Sequence, residues 1–374
     1  MGSTAGDMVR ALGRTGLKNT TQPDGVGPMG YNPCMAWSVL GHEWAIELLK
    51  QHIRAGGVRH AYLFTGPDQV GKRTLALAFA MALTCAKPPS PGEACGECQT
   101  CASMRLGTHP DLSVIRLMEG ESEVKIDQVR ELQHQLALTP RQAGRRIALL
   151  IDFDLASDEA QNALLKTLEE PADRVVLLLT AASTSRLFPT LISRCEVLNL
   201  RPVHPEVIEQ ALVADGEPTE SARVLAAISG GRPGAARGLR SDPEQLAQRG
   251  AALDDLARLL SANRNERFAA AETWARKRTR AEELEAVRRR VRPRLITWLT
   301  LWRDALLVSH DVKTHLANPD RTADLERLAG SLSREALAAG VTAIQTALDR
   351  LDRYANIQLT LETLMIDLPR LPAR

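Results

Sequence analysis

Ala61-Tyr62-Leu63-Phe64, then Gly66-Pro67-Asp68-Gln69-Val70-Gly71-Lys72-Arg73-Thr74, then an apolar stripe at Leu75, Phe79 and Leu83 read as strand, loop and helix in unbroken succession. In that context two glycines and a lysine predict a phosphate cradle. Gly66 and Gly71 let the backbone curl so that successive N–H groups face one anion. The helix N-terminus and the Lys72 ammonium add positive charge. The pattern ordinarily places Ser or Thr directly after the lysine to hold magnesium; this chain has Arg73 there. Thr74 comes one residue late, a rotation of about 100° on a helix. The loop is therefore expected to hold phosphate poorly or not at all and to be ill-suited to hydrolysis. A plain strand–turn–helix corner is the alternative.

Cys85, Cys95, Cys98 and Cys101 follow in a C-x9-C-x2-C-x2-C spacing within a Gly/Pro-rich stretch. Four thiols so spaced in a long chain without a secretory leader predict a tetrahedral zinc site rather than a disulfide framework. A set of four sulfur ligands leaves no open position, so the expected zinc is structural.

The 374 residues are enough for two or three domains. A net charge of +2 argues against bulk electrostatic binding of nucleic acid, and 3% aromatic residues against a stacking platform for single strands. The longest apolar run, Val175–Leu179, is far too short to span a bilayer, and the chain reads as soluble and cytoplasmic. Residues 1–34 lack any helical or strand period and read as a disordered tail, with Cys34 an incidental thiol. Patterned sequence starts at Met35. A first helix is expected from Trp37, with Ile46, Leu49 and Ile53 on one face and Gly56-Gly57 at its end.

Beyond the cysteines, Asp111–Leu117 reads as a strand, Val124–Leu138 as a helix, and Arg146–Asp152 as a buried strand ending in a carboxylate. Asp152 is the expected magnesium-side residue of a phosphate-loop protein. The water-activating Glu usually follows it, and here that residue is Phe153, which accepts no proton. Asp154 is not expected to substitute, because the side chain one position along a strand points to the opposite face. Ser157 is placed to cap a helix that carries Asn162-Ala163-Leu164-Leu165-Lys166-Thr167-Leu168-Glu169-Glu170 and stops at Pro171. Val175–Thr180 is a further buried strand, with Thr180 expected to face the nucleotide site. Ser193-Arg194-Cys195 then leads into a last strand, Glu196–Leu200. Alternating strands and helices predict an α/β fold: a parallel sheet covered on both faces, with ligands at the strands' carboxyl ends.

Taken together, Gly41-His42, the Gly66–Thr74 loop, the cysteine quartet after its helix, Asn162–Pro171, Ser193-Arg194-Cys195 and the stretch Leu351–Leu359 resemble the clamp-loader branch of the AAA+ ATPases, from Met35 to the end. The resemblance implies an AAA+ α/β domain over 35–202 with a zinc-binding insertion at 85–101, a small helical lid over 203–250, and an all-α collar over 251–374. It implies that Arg194 reaches across a subunit boundary to the phosphate of ATP held by a neighbour. On spacing alone Arg194 would cap a helix or pair with Glu196. It implies that Arg232, in Ser229-Gly230-Gly231-Arg232-Pro233-Gly234, is a second sensor looking back at a nucleotide in its own subunit; a Gly/Pro turn between helices is the alternative.

The collar stripes at Leu295, Trp298, Leu299 and Trp302, at Val341, Ile344, Leu348 and Leu351, and at Ile357, Leu361, Leu364 and Leu368 read as helix-bundle core. Within the resembling family that domain joins subunits into a pentameric ring. The basic runs Arg276–Arg280 and Arg288-Arg289-Arg290, interleaved with Glu282, Glu283 and Glu285, read as a solvated helix face.

The resemblance further implies a component of bacterial DNA polymerase III that is not itself a working ATPase. Its partners would be gamma/tau-type ATPase subunits and delta, with the sliding clamp and primed DNA met through the complex, in the nucleoid-associated replisome. The competing readings are an active gamma/tau-type or other AAA+ ATPase, and a zinc-dependent DNA-binding module, which would bind DNA alone with strong salt dependence.

Overall fold

The computed structural model describes residues 37–371 apart from 119, 120, 122, 278–282, 313 and 315. The tail expected over 1–34, with Cys34, lies outside the described residues, as do Glu282 and positions 278–280 of the basic run.

The first half alternates helices and strands: α1 (Glu43–Arg54), β1 (Ala61–Thr65), α2 (Lys72–Thr84), α3 (Gln99–Leu106), β2 (Leu112–Ile115), α4 (Ile126–Leu136), β3 (Arg146–Leu150), α5 (Asp158–Glu169), β4 (Val175–Ala181), α6 (Pro189–Ile192) and β5 (Glu196–Asn199). The five strands form one parallel sheet in the order β2-β3-β4-β1-β5. Every residue of β1, β3 and β4 is buried, as near-continuous apolar strands covered on both faces should be. The period-two alternation sorts their side chains cleanly. Tyr62, Phe64, Ile147, Leu149, Val176 and Leu178 pack towards α1–α3, and Leu63, Ala148, Leu150, Leu177 and Leu179 towards α4–α6.

Most element boundaries shift by one to a few residues from the sequence expectation, and three of the shifts have a visible cause. The first helix starts at Glu43, because Trp37 is drawn away to donate its indole N–H to the Gly92 carbonyl (3.1 Å). β2 starts after Asp111, whose buried carboxylate accepts three backbone N–H groups from Arg141, Gln142 and Ala143 at 2.7–2.8 Å. β3 stops at Leu150, and Asp152 takes a positive φ of 51° before a single 3-10 turn over Phe153–Leu155. The expected Ser157 cap is present, its hydroxyl accepting the Ala160 N–H at 3.2 Å.

The second half is helical: α7 (Pro205–Ala214), α8 (Thr219–Ile228), α9 (Pro233–Ser241), α10 (Pro243–Ser261), α11 (Arg264–Ala275), α12 (Leu284–Ser309), α13 (Thr322–Ser331), α14 (Arg334–Asp352) and α15 (Ile357–Asp367). α7–α9 close a small core around Ile208, Leu212, Leu225 and Ala236. α10 crosses residue 250 without a break. It lends Leu246 to that small core and Leu253, Leu256 and Leu260 to the larger one, where Trp298, Trp302, Ile344 and Leu361 are fully buried.

Arg267 organises the end of this bundle. It is 4% exposed and donates to the carbonyls of Leu259, Leu260, Met365, Leu368 and Pro369. Those oxygens belong to the C-terminal ends of α10 and α15, the negative ends of two helix dipoles. All five guanidinium donors are thereby used, which is what makes a buried arginine tolerable. Among the described residues no helix is long and apolar enough to cross a membrane.

Candidate functional site

The phosphate loop leaves β1 through Gly66, whose φ of 142° and close approach to the Leu200 carbonyl both exclude a side chain. Its next carbonyls are held from two sides. His42, 1% exposed, approaches the Val70 carbonyl through Nε2 at 3.1 Å. Since a carbonyl only accepts, Nε2 carries the proton. Burial holds this imidazole below its ordinary pKa, although the Val70 contact pulls the other way. From the opposite side the Gly234 N–H, in the first turn of α9, donates to the Gln69 carbonyl at 2.9 Å.

Lys72 is 6% exposed and turned back onto its own loop. Its Nζ donates to the carbonyls of Gly66 (2.6 Å) and Pro67 (3.2 Å) and approaches Asp68 Oδ1 at 3.5 Å. An ammonium has three donors, so the loop itself takes the charge that a phosphate would need. Gly71, with φ 121°, is the N-cap of α2; Arg73 is exposed in its first turn, and Thr74 is partly buried.

Asp152 and Thr180 lie side by side: the Asp152 N–H donates to Thr180 Oγ1 at 2.8 Å. Burial raises the Asp152 carboxyl above the usual range, the Lys72 ammonium opposes that rise, and Asp68 and Asp154 reinforce it. Phe153 is completely buried in the core beneath α4 and α5 and offers no proton acceptor. The strand-alternation argument against Asp154 fails, because the chain has already left the strand. Asp154 sits in the 3-10 turn, 9% exposed, with Oδ1 making no hydrogen bond. Arg232 lies on the turn that reaches Gln69, but its Nε is spent on the Ser229 carbonyl at 2.8 Å.

The four cysteines converge. Their sulfurs all lie within 4.8 Å of one another, with Cys85 and Cys95 at 3.5 Å and Cys95 and Cys101 at 4.0 Å. A tetrahedron of sulfurs at about 2.3 Å from zinc has edges of about 3.8 Å, so the quartet fits such an ion. Backbone N–H groups of Cys95, Cys98 and Cys101 donate to the sulfurs of Cys85, Cys95 and Cys98 at 3.3–3.4 Å. Burial would raise the Cys98 thiol, yet the Cys101 and Ala86 N–H groups and the adjacent thiols outweigh it and bring it down to about 6. This donor set can bind a metal ion such as zinc. The loop between Cys85 and Cys95 is also tied to α1 through Lys50 to Glu93 at 2.6 Å, and to the segment before α1 through Trp37 on Gly92.

Arg194 lies at the α5–α6 corner. Its Nη1 donates to the Thr190 carbonyl at 2.8 Å and its Nη2 to Glu169 Oε1 at 2.9 Å, and its side chain is about one-third exposed. Both contacts are its own chain's. Glu196, the partner that sequence spacing suggests, is taken by Arg59 at 2.7 Å.

Residues 41–204, which hold the loop, the quartet and Arg194, match the family described as "DNA polymerase III, delta subunit", and residues 244–369 match "DNA polymerase III, delta subunit, C terminal". The chain belongs to the DNA polymerase III delta subunit family. It is 41% identical over 193 residues to DNA polymerase III subunit delta' of Pseudomonas aeruginosa, covering 50% of this chain and 58% of that one. Against subunit delta' of Escherichia coli the identity is 34% over 194 residues, covering 52% and 58%. Against subunit tau/gamma of Haemophilus influenzae it is 33% over 174 residues, covering 46% and 25%. The chain thus spans a little more than half the length of these delta' relatives.

The basic run behaves as a structural face where it is described. Arg288 pairs with Glu285 and stacks over Tyr354, Arg290 donates to the Arg276 carbonyl, Arg292 forks onto Asp352, and Arg294 pairs with Asp255. Sequence reasoning missed four contributors: His42, Gly234, Glu169 and Arg267. His42, Gly234 and Glu169 stood inside motifs that drew notice, but their partners lie 28, 165 and 25 positions away. No local pattern marks Arg267, which follows directly on Arg264, Asn265 and Glu266.

Proposed function

We propose that this chain is a clamp-loader subunit of the delta' type that does not itself split ATP. It completes the ATP site of an adjacent gamma/tau-type subunit with Arg194 and helps load the sliding clamp on primed DNA. It does so in the bacterial cytoplasm, within a pentameric ring that also holds delta. One observation supports this most: two parts of its own hydrolytic equipment are disabled, while an arginine of the right kind stays at the surface. Lys72 is spent on loop carbonyls, and Phe153, at the sequence position where a water-activating carboxylate usually stands, is buried in the apolar core. Arg194 keeps three of its five N–H donors clear of the two contacts with Thr190 and Glu169.

A guanidinium of this kind stabilises negative charge as it develops on a transferring phosphoryl group, and it does so with paired donors. The degenerate cradle of Gly66, Gly71, Lys72, Thr74, Asp152, Thr180 and Arg232 binds nucleotide weakly or not at all. The reason is that ATP would have to displace the loop carbonyls that already occupy Lys72. Cys85, Cys95, Cys98 and Cys101 hold a structural zinc ion, which supplies a cross-link between α2, α3 and the loop that touches α1.

An active gamma/tau-type ATPase is the second reading, favoured by the tau/gamma relative at 33% identity. Reconstitution separates the two. A loader assembled with this chain should turn over ATP faster than one without it, and Arg194→Ala should remove most of the gain. Equal turnover with wild-type and Arg194→Ala chains would defeat the proposal.

A further inference from the structure

The C-terminal turn of α5 carries carboxylates where a helix least favours them. Glu169 is its last residue, Glu170 caps it, and both are exposed. The carbonyl end of a helix bears a partial negative charge, so an acidic side chain there is unfavourable unless a cation offsets it. Arg194 is that cation for Glu169, at 2.9 Å from Oε1. The pair joins two elements 25 positions apart, and the second guanidinium nitrogen is fixed by the Thr190 carbonyl. A position that breaks a local rule and is offset by one functional candidate is where a functional reason should be sought.

We infer that Glu169 is the resting partner of Arg194, a positioning residue that holds the guanidinium on its own subunit until a more strongly charged anion displaces it. The inference rests on the reading of Arg194 as the residue offered to a neighbour's ATP. The physics is competition. A carboxylate in contact with a guanidinium neutralises part of its field and repels an approaching phosphate, so the arginine's contribution to binding that phosphate is reduced by the strength of the resting pair. Both partners are partly solvated. The pair is therefore weak enough to open, and its effect is screened by salt.

Glu169→Gln isolates the charge, since the amide keeps an acceptor oxygen for Nη2. The test is kcat/KM for ATP in the loader reconstituted from this chain and its cognate ATPase subunits. It is measured for wild type, Glu169→Gln, Arg194→Ala and the double variant, at low and high salt. The expected result is a rise of about two- to fivefold for Glu169→Gln at low salt. That rise shrinks at high salt and disappears in the Arg194→Ala background. If Arg194→Ala lowers turnover but Glu169→Gln leaves kcat/KM unchanged or lowers it, the resting-partner role is wrong while the arginine assignment stands. The role is equally wrong if the Glu169→Gln gain survives in the double variant. If Arg194→Ala changes nothing, the arginine assignment fails and this inference fails with it.

Discussion

The Nζ of Lys72 lies 2.6 Å from the carbonyl oxygen of Gly66, the glycine that opens its own phosphate loop. With Pro67 and Asp68 supplying the remaining contacts, the one buried cation of the cradle is neutralised from within. Titration with a fluorescent ATP analogue and magnesium should therefore show weak binding or none. Lys72→Ala should leave turnover of the reconstituted loader within about twofold of wild type, because the residue contributes no transition-state contact. Tight, magnesium-dependent binding abolished by Lys72→Ala would show that ATP readily displaces the loop carbonyls.

Gly234 is a second point where the loop is held. A Cβ there would stand 2.9 Å from the Gln69 carbonyl oxygen and 3.0 Å from Gln69 Cβ, so Gly234→Ala must push α9 off the loop. The expected cost is about 1–2 kcal/mol. Amide exchange should accelerate at residues 68–71 while β3 and β4 keep their protection. Unchanged exchange at the loop would show that the hydrogen bond from Gly234 to Gln69 does not restrain it.

The cysteine quartet predicts stoichiometric zinc in the purified chain, measured by elemental analysis. Chelation or Cys101→Ser should lower the thermal midpoint. It should also loosen Trp37, whose indole N–H is bonded to the loop at Gly92. Because an ion held there would crosslink elements rather than touch phosphate, the loader's response to Arg194→Ala should survive mild zinc loss. Full stability without metal would contradict the structural role.

Asp111 gives the fold a defined acid limb. Burial alone would raise its carboxyl, but the N–H groups of Arg141, Gln142 and Ala143 outweigh that and depress it below the usual Asp value. A depressed carboxylate contributes stability that is present above the unfolded pKa near 4 and is lost as pH falls through the folded one. Asp111→Asn should cost about 1–3 kcal/mol at neutral pH by leaving the nest of N–H groups poorly matched, and should flatten the acid limb of a denaturation profile. An unchanged limb would assign acid unfolding to other carboxylates.

Much of this architecture was legible in the chain. Val175–Thr180 read as a strand buried on both faces, Ser157 stood where a helix needs a cap, and the C-x9-C-x2-C-x2-C spacing marked the four cysteines as one ligand set. What escaped notice was set by contacts between distant segments. No local pattern reveals that Glu169, rather than nearby Glu196, meets Arg194, or that the turn at Gly234 closes on Gln69. The reason for setting Asp154 aside does not hold, because the period-two rule was carried past Leu150, where the backbone turns through a positive φ at Asp152. Strand arithmetic holds only while the strand lasts.

The central claim is a division of labour: Arg194 is available to another subunit's ATP while this chain's own site is out of use. The direct measurement is steady-state ATP turnover by the isolated, zinc-loaded chain, with the cognate ATPase subunits assayed beside it. Turnover indistinguishable from the no-protein background, across magnesium and ATP concentrations that saturate the ATPase subunits, is the predicted result. Turnover comparable to theirs, abolished by Lys72→Ala, would contradict the account.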